Sequence, residues 1–590
     1  MKYTATFALL ILAIGIQTQR RSTICRCRQE DACWPTTAEW SSLNQSIDGK
    51  LRHLRPVGLP CQQSAYHKEK CDEVLAMTHN SSWRVDHPES LQLVSWESWP
   101  EKNQSCQIVR EAVDGCAQGR IPLYSAAVES TKQVQQAVSF AKHRNLRLVV
   151  RNTGHDMAGR SSAPGSLQIL TSGLKGINYT ENFVPFITQG SAEPMGPAVT
   201  IGAGILTGEL YATGSEKGFV VLGGACSTVG IAGGFIQSGG MGILSPSKGL
   251  GSDHVLQVEI VTADGSHIIA NQYQNEDLFW AVRGGGGGTF GVITSVTLRA
   301  FADLPATVTG IQINTPSADA IFWAGVKTVL SILPELTDAG NSARMIVLPA
   351  SSTGGASASF EGYTFNKKGA VSLLALQRAL DDFGIPFKLS HDFQGNLSRF
   401  LAAPKGVDLA GISVIPGSVF LSYDLVASKD GPAKVTSALS DLRLGPGSSF
   451  SVDAFGGGQV VNNKNRINSA VHPDWRSALL SLTVGRGVPP GYTLETLKSI
   501  ESELENDQLP RLRSLEGGRK GAYLAVAYPN EVYFQDSFWG KNYDRLLKVK
   551  RAWDPEDLFI TRVGVGSERW DDEGMCTRAD SGLWHALARF

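Results

Sequence analysis

Arg151 to Ser162 reads RNTGHDMAGRSS, and Val221 to Gly242 reads VLGGACSTVGIAGGFIQSGGMG. The first stretch follows an apolar run, Leu146 to Val150, that predicts a buried strand, so His155 sits on a loop at the strand's end. The second carries too many glycines for an ordinary helix. It predicts backbone packed against something flat or anionic, because glycine lets backbone N–H groups come close to such a surface. One loop presents an imidazole, His155, and the other a thiol, Cys226. Alone, a loop histidine is ordinarily a packing or surface residue, and a lone buried cysteine is ordinarily inert. Together, in two glycine-rich loops, they favour a cofactor: a nucleophilic side chain beside a pyrophosphate-cradling loop can bond to the cofactor instead of a substrate.

Outward from these loops the pattern stays regular from about 118 to 300. Val134, Ala137, Val138 and Ala141 mark one face of a helix. VLQVEIVTADG (255–265) predicts a strand and turn, and DLFWAVRGGGGGTFGVITSVTLRA (277–300) a helix, a glycine run and a strand. Beyond 303, TVTGIQIN, ARMIVLP, SFEGYTF and GSVFLSYDLV predict strands, and AIFWAGVKTVLSIL and AVSLLALQRALDDF predict helices. That alternation marks a separate α+β unit. From 516 the chain changes again and ends in an amphipathic helix, SFWGKNYDRLLKVKRAW (537–553), stopped by Asp554-Pro555.

The chain has 590 residues, enough for about four domains by length alone. Its net charge is −1, so no basic surplus argues for a nucleic-acid partner. Lys2 followed by the apolar run Phe7 to Ile16 reads as a signal peptide (1–18), the run being too short to span a bilayer; the alternative is an uncleaved anchor. No later run reads as long enough to span, which predicts a protein without a membrane partner once the signal is removed, secreted or held in the secretory lumen. Asn-x-Ser/Thr triplets at Asn44, Asn80, Asn103, Asn178 and Asn396 agree with that route. Seven of the nine cysteines crowd into 19–117, which reads as a leader shaped by disulfides. The odd count leaves one thiol over, and Cys226 is the outlier.

Common sites are missing. There is no G-x-x-x-x-G-K-[ST], H-E-x-x-H or G-x-S-x-G, and the Cys25/Cys27 pair lacks a second pair for zinc. RGGGGGTFG follows a helix instead of a strand and has no acidic ribose partner about 20 residues on, which argues against a nicotinamide site.

Four stretches carry a resemblance: RNTGHDMAGRS, GGACSTVGIAGGFIQSGGMG, NEDLFWAVRGGGGGTFGVITSVT and FWGKNYDRLLKVKRAWDPEDLF. They resemble the berberine-bridge-enzyme-like branch of the vanillyl-alcohol-oxidase/p-cresol-methylhydroxylase flavoproteins, and most of all secreted fungal oxidases of the isoamyl-alcohol-oxidase kind. The resemblance implies FAD, bonded through its 8α-methyl to His155. In the family the cysteine of the second stretch often bonds carbon 6 of the flavin, which makes Cys226 a second attachment point. It implies that Arg151, Asn152, Thr153, Gly154, Gly159 and Ser161 line the pyrophosphate and ring. Gly230, Gly233, Gly234, Gly291 and Ile293 match further FAD-contact positions, and Asn542 matches one near the isoalloxazine. In this branch a valine three residues after the cysteine is associated with oxygen access to the reduced flavin; here it is Val229.

The departures from the family bear on the chemistry. Met157 stands where many relatives have an aromatic residue, and Ser227 where the cysteine is usually followed by proline. YLAV places Ala525 and Val526 where relatives carry an Asn and a polar residue that faces the active site, so a familiar acid/base candidate is missing. Tyr523, Tyr528 and Tyr543 are the nearby alternatives, and His391 or Asp392 could reach in from the middle unit; each of them also has a purely structural reading. A tyrosine serves as a base only with a depressed pKa.

The implied fold is α+β: a two-part FAD-binding domain of the p-cresol-methylhydroxylase type, 118–300 plus a berberine-bridge-like segment 516–570. A substrate domain of antiparallel sheet flanked by helices, 301–515, is inserted between them, and 571–590 forms a tail. The implied function is hydride transfer from an alcohol- or amine-type small molecule to FAD with reoxidation by molecular oxygen, in fungal secondary-metabolite biosynthesis. The alternatives are an oxidative cyclase and a non-catalytic flavoprotein.

Overall fold

The computed structural model describes residues 23–111, 115–350, 354–403, 410–489, 491–518 and 521–578. The expected signal peptide and residues 579–590 of the expected tail lie outside the described residues. Two sheets and one shared core build the first unit. The four-stranded sheet runs, in spatial order, Leu51–His53, Tyr124–Ala127, Leu167–Leu170 and Leu148–Arg151; the first pairing is antiparallel and the other two parallel. Helix Thr131–His143 connects two of these strands. Ser130 caps its start, and Val134, Ala137, Val138 and Ala141 are its buried face, as the sequence pattern predicts. The five-stranded sheet is antiparallel throughout, in the order Ile177–Thr180, Ala198–Gly202, Val292–Arg299, Val255–Val261, His267–Asn271. Trp539 and Leu546 from the C-terminal segment share one core with Val138, Ile201 and Val258 from these sheets and helix, which makes the domain two-part.

The inserted unit is a seven-stranded antiparallel sheet in the order Phe387–Gln394, Ala306–Thr315, Ala356–Thr364, Ser342–Leu348, Ser449–Ala454, Ala478–Gly487, Val414–Ser422. Strand side chains alternate between faces. Ala343, Met345 and Val347 point into a core with Phe322, Val326 and Leu330 of helix Ala320–Asp338 and with Leu373 and Leu376 of helix Lys367–Asp382. Arg344, Ile346 and Leu348 therefore face the other way, toward the first unit. The absence of a later membrane-length run needs correcting. Ala320–Asp338 is long and apolar enough to cross a bilayer by length and composition, and its buried residues are spent on the sheet.

Local readings differ at three points. The 537–553 helix is two helices, Phe534–Trp539 and Tyr543–Trp553, because Gly540 takes a positive φ of 50° between them. GSVFLSYDLV is a strand only to Ser422, whose hydroxyl accepts from Leu425 N–H and starts a helix at Tyr423. The glycine-dense stretch contains a kinked helical turn, Ile231–Phe235, broken by non-helical backbone at Gly233.

The cysteine-rich region is built into the fold. Cys27–Cys33, Cys61–Cys71 and Cys106–Cys116 are local bridges, and Cys25–Cys576 ties the region to the far end of the chain. Trp40, Leu43 and Ile47 join the first unit's core. Cys226 is in no disulfide, as the odd count predicts. The two units are clamped together by Arg476, whose guanidinium donates to both oxygens of buried Asp253 at 2.8 and 2.6 Å.

Candidate active site

A cavity of about 1700 Å³ lies between the glycine-rich loops and the seven-stranded sheet. Its loop side begins with Asn152, Thr153, Gly154, His155 and Ser161 and continues with Cys226, Val229, Gly230, Gly233, Gly234, Gly291 and Ile293. The two loops interlock through Asn152. A Cβ on Gly230 would lie 1.5 Å from Asn152 Oδ1, and one on Gly233 2.9 Å from Asn152 Cβ, so only glycine permits this approach. Asn152 Nδ2 donates to Thr171 Oγ1 and to the Ala203 carbonyl, and its buried Oδ1 has no protein partner.

His155 is held from two sides. Its Nε2 lies 2.7 Å from Thr228 Oγ1 and 3.3 Å from Ser81 Oγ, and these two hydroxyls are 2.7 Å apart. Ser81 also donates to Gln92 Oε1 at 3.1 Å. Ser81 and Gln92 come from the cysteine-rich region, which thus supports the imidazole directly. Half-buried Cys226 stands two residues before Thr228 in the same wall.

This wall fits a dinucleotide. A Cβ on Gly234 would meet nothing within 4 Å, so the bare backbone there faces open space, and a Cβ on the adjacent Gly287 would sit 3.3 Å from Gly234 Cα. Bare backbone of this kind gives amide groups access to an anion. The unpartnered Asn152 Oδ1 adds an acceptor.

The opposite wall holds a charged pair that the sequence pattern does not reveal. Arg344 and Asp453 are cross-strand partners, Nε to Oδ1 3.2 Å, and both line the cavity. Ser451 Oγ donates to the other carboxylate oxygen at 2.9 Å. Burial raises the Asp453 carboxyl above its ordinary value, and the Arg344 charge and Ser451 hydroxyl only partly offset this. Arg344 is within electrostatic reach of Cys226, which brings the two walls together. In sequence, ARMIVLP and SVDAF each show one charged residue in an apolar strand; only the register of the sheet makes them neighbours. Beside the pair the sheet is polar, with Glu361 opposite Arg344, Ser481 opposite Asp453 and Thr483 opposite Ser451. Ile346, Leu348 and Val414 of the sheet and Met157, Ala525 and Val526 of the first unit supply apolar lining farther along the cavity.

The sequence-derived base candidates fare differently. Tyr523 lines the cavity, but burial raises its pKa to about 12, the wrong direction for a base. Tyr528 lies outside the cavity lining, 3.3 Å from Glu505 and raised by burial. Tyr543 is also outside, donating to Glu568 at 2.6 Å and raised by burial. His391 and Asp392 sit on the sheet's far edge strand, away from the lining. Three expected flavin contacts are engaged elsewhere in the protein and do not line the cavity. Arg151 is fully buried and donates to the carbonyls of Arg84, His87 and Pro88. Gly159, at φ 71°, has its missing Cβ 2.5 Å from the Trp96 ring, so it makes room for an indole that donates to the Met157 carbonyl. Asn542 donates to the Val471 carbonyl at 2.8 Å and does not line the cavity.

Known proteins match these features. Residues 122–271 match the FAD binding domain family, and 522–566 match the berberine and berberine-like family. The chain is 42% identical over 564 residues to the FAD-linked oxidoreductase notD of Aspergillus sp. (strain MF297-2), covering 94% of this chain and 90% of that one. The VAO-type flavoprotein MtVAO615 of Myceliophthora thermophila C1 superimposes with a TM-score of 0.82 at 29% identity, covering 94% of this chain and 100% of the other. Berberine bridge enzyme of Eschscholzia californica shares the fold, with a TM-score of 0.62 at 17% identity over 89% of this chain and 98% of the other.

Proposed function

We propose that this chain, which belongs to the berberine-bridge-enzyme-like branch of the vanillyl-alcohol-oxidase flavoproteins and is an FAD-dependent oxidoreductase, oxidises an alcohol- or amine-type small molecule with oxygen as final acceptor. The supporting observation is one cavity with His155 and Cys226 in its loop wall and Asp453, with its raised carboxyl, in the sheet wall. When bound, FAD supplies a two-electron acceptor for a substrate hydride. Asp453 takes the substrate's O–H or N–H proton. Arg344 and Ser451 hold the carboxylate in place. The cavity is suited to a largely apolar substrate with one polar reacting group. Secondary metabolism is the proposed setting of the reaction, and four disulfides support an oxidising, secretory location. Peroxide production across alcohol, amine, aldehyde and sugar panels tests the reading; a flavin that no panel member bleaches anaerobically would overturn it. Product masses separate simple loss of two hydrogens from oxidative ring closure.

His155 and Cys226 are the proposed attachment points of the flavin, an assignment supported by their shared wall. Acid-denatured protein is expected to stay yellow, with flavin on the His155 and Cys226 peptides. His155→Ala is expected to leave no flavin on the 155 peptide.

Val229 is the proposed opening for oxygen. It is partly buried in the loop wall, where a leucine would add bulk. Val229→Leu is expected to slow oxygen reoxidation by about tenfold, or about 1.4 kcal/mol of barrier, with anaerobic reduction by substrate unchanged. Stopped-flow reoxidation measures both rates separately.

A further inference from the structure

The strand Phe387–Gln394 ends the seven-stranded sheet, and among the described residues nothing pairs with its outer edge. Its register with Ala306–Thr315 is continuous over eight pairs, without a bulge, and it contains no proline. Exposed edges are ordinarily blunted by such devices. Here charge is confined to one face, at Lys388 and Asp392, and the other face is apolar apart from His391. Phe387, Leu389, His391 and Phe393 alternate onto the side carrying helix Lys367–Asp382, since Gln377 of that helix meets His391 at 3.3 Å. Phe393 is 71% exposed, and Leu389, together with Leu374 and Val371 of the helix, is exposed too.

We propose that this edge binds a second copy of the chain, the two Phe387–Gln394 strands pairing antiparallel about a two-fold axis at Ser390. The sequence FKLSHDFQ is self-complementary in that register. Lys388 stands opposite Asp392 of the partner subunit, and symmetry repeats the pair. Phe387 stands opposite Phe393 of the partner subunit, and Leu389 opposite its His391. Moving the axis to Leu389 or His391 sets Lys388 against serine or glutamine and loses both charge pairs. A two-fold through a residue pair keeps odd-numbered side chains of both copies on one face, so the apolar faces merge. Gln394 then faces Pro386 of the partner subunit, and Asn396, a glycosylation triplet, falls beyond the ladder. Opposite charges across strands attract and like charges repel, and β-edge addition supplies main-chain bonds besides.

Sedimentation of the secreted holoenzyme over a range of concentrations tests this. The expected result is a concentration-dependent dimer. Lys388→Asp sets like charges against each other twice and is expected to weaken it by about tenfold or more. The swapped variant Lys388→Asp/Asp392→Lys is expected to restore it. Turnover per chain and melting temperature report that the variants stay folded. A monomer at every concentration would overturn the proposal, as would a dimer indifferent to Lys388→Asp or one the swap does not rescue.

Discussion

Replacing Asp453 by asparagine is expected to slow substrate-driven bleaching of the flavin by about 10²- to 10⁴-fold, the usual contribution of a positioned general base, while the protein keeps its flavin. Asparagine keeps the shape and can still accept from Ser451, which now donates to the carboxylate at 2.9 Å. It cannot take a proton. The side chain also lies opposite the loop wall, so its loss leaves the flavin's cradle untouched. The pH profile gives the second readout. Burial raises the folded carboxyl above its ordinary value, and the base acts only when ionised. The rate of reduction is therefore expected to rise with pH through that elevated value and to level off above it. In the asparagine variant this limb is expected to vanish. Arg344→Gln removes the neighbouring charge that favours ionisation, so it is expected to move the limb to higher pH while keeping measurable turnover. A wild-type rate in Asp453→Asn, or an unchanged acid limb, would leave the chemistry without this base.

The contrast between the two cavity walls explains what the sequence could reveal. The loop wall is local. His155, Thr153 and Gly154 are neighbours in one stretch, and Cys226, Val229, Gly230 and Gly233 in another, so short motifs carry them. The helix face at Val134 to Ala141 is equally local, being a matter of period. The sheet wall is not. Arg344 and Asp453 are more than a hundred residues apart and meet because Ser342–Leu348 and Ser449–Ala454 pair in one register. A shift by one residue would turn either side chain to the helix-covered face. The protein contacts of two expected flavin-lining residues are hidden for a related reason. Arg151 and Gly159 belong to the right motif, but Arg84, His87, Pro88 and Trp96 of the cysteine-rich region claim them. That region has no clear periodicity, so nothing in its pattern announces its contacts.

Breaking the Lys550–Asp554 pair is expected to destabilise the first unit by about 3–5 kcal/mol, the range for removing one partner of a buried ion pair. Both side chains are completely buried. Besides Asp554, Lys550 Nζ donates to the Thr289 carbonyl at 2.8 Å and the Phe559 carbonyl at 2.6 Å. Asp554 accepts from Leu558 and Phe559 N–H, both at 2.8 Å. Every donor of the ammonium and both carboxylate oxygens are used, so either single loss strands a charge away from water. Thr289 belongs to the glycine run whose Gly287, Gly288 and Gly291 line the cavity. The pair thus fixes the C-terminal segment to the loop wall. Asp554→Ala is expected to lower both the denaturant midpoint and the fraction of chains that retain flavin. Lys550→Met/Asp554→Asn removes both charges and keeps one acceptor for the freed N–H groups. It is expected to cost less than the sum of Lys550→Met and Asp554→Asn taken singly, because the pair acts as a unit. Strict additivity in that cycle would mean the two groups act independently. The loop wall would then owe its position to Trp539, whose Nε1 donates to the Gly284 carbonyl at 3.0 Å, and to Leu546, packed beside Gly285.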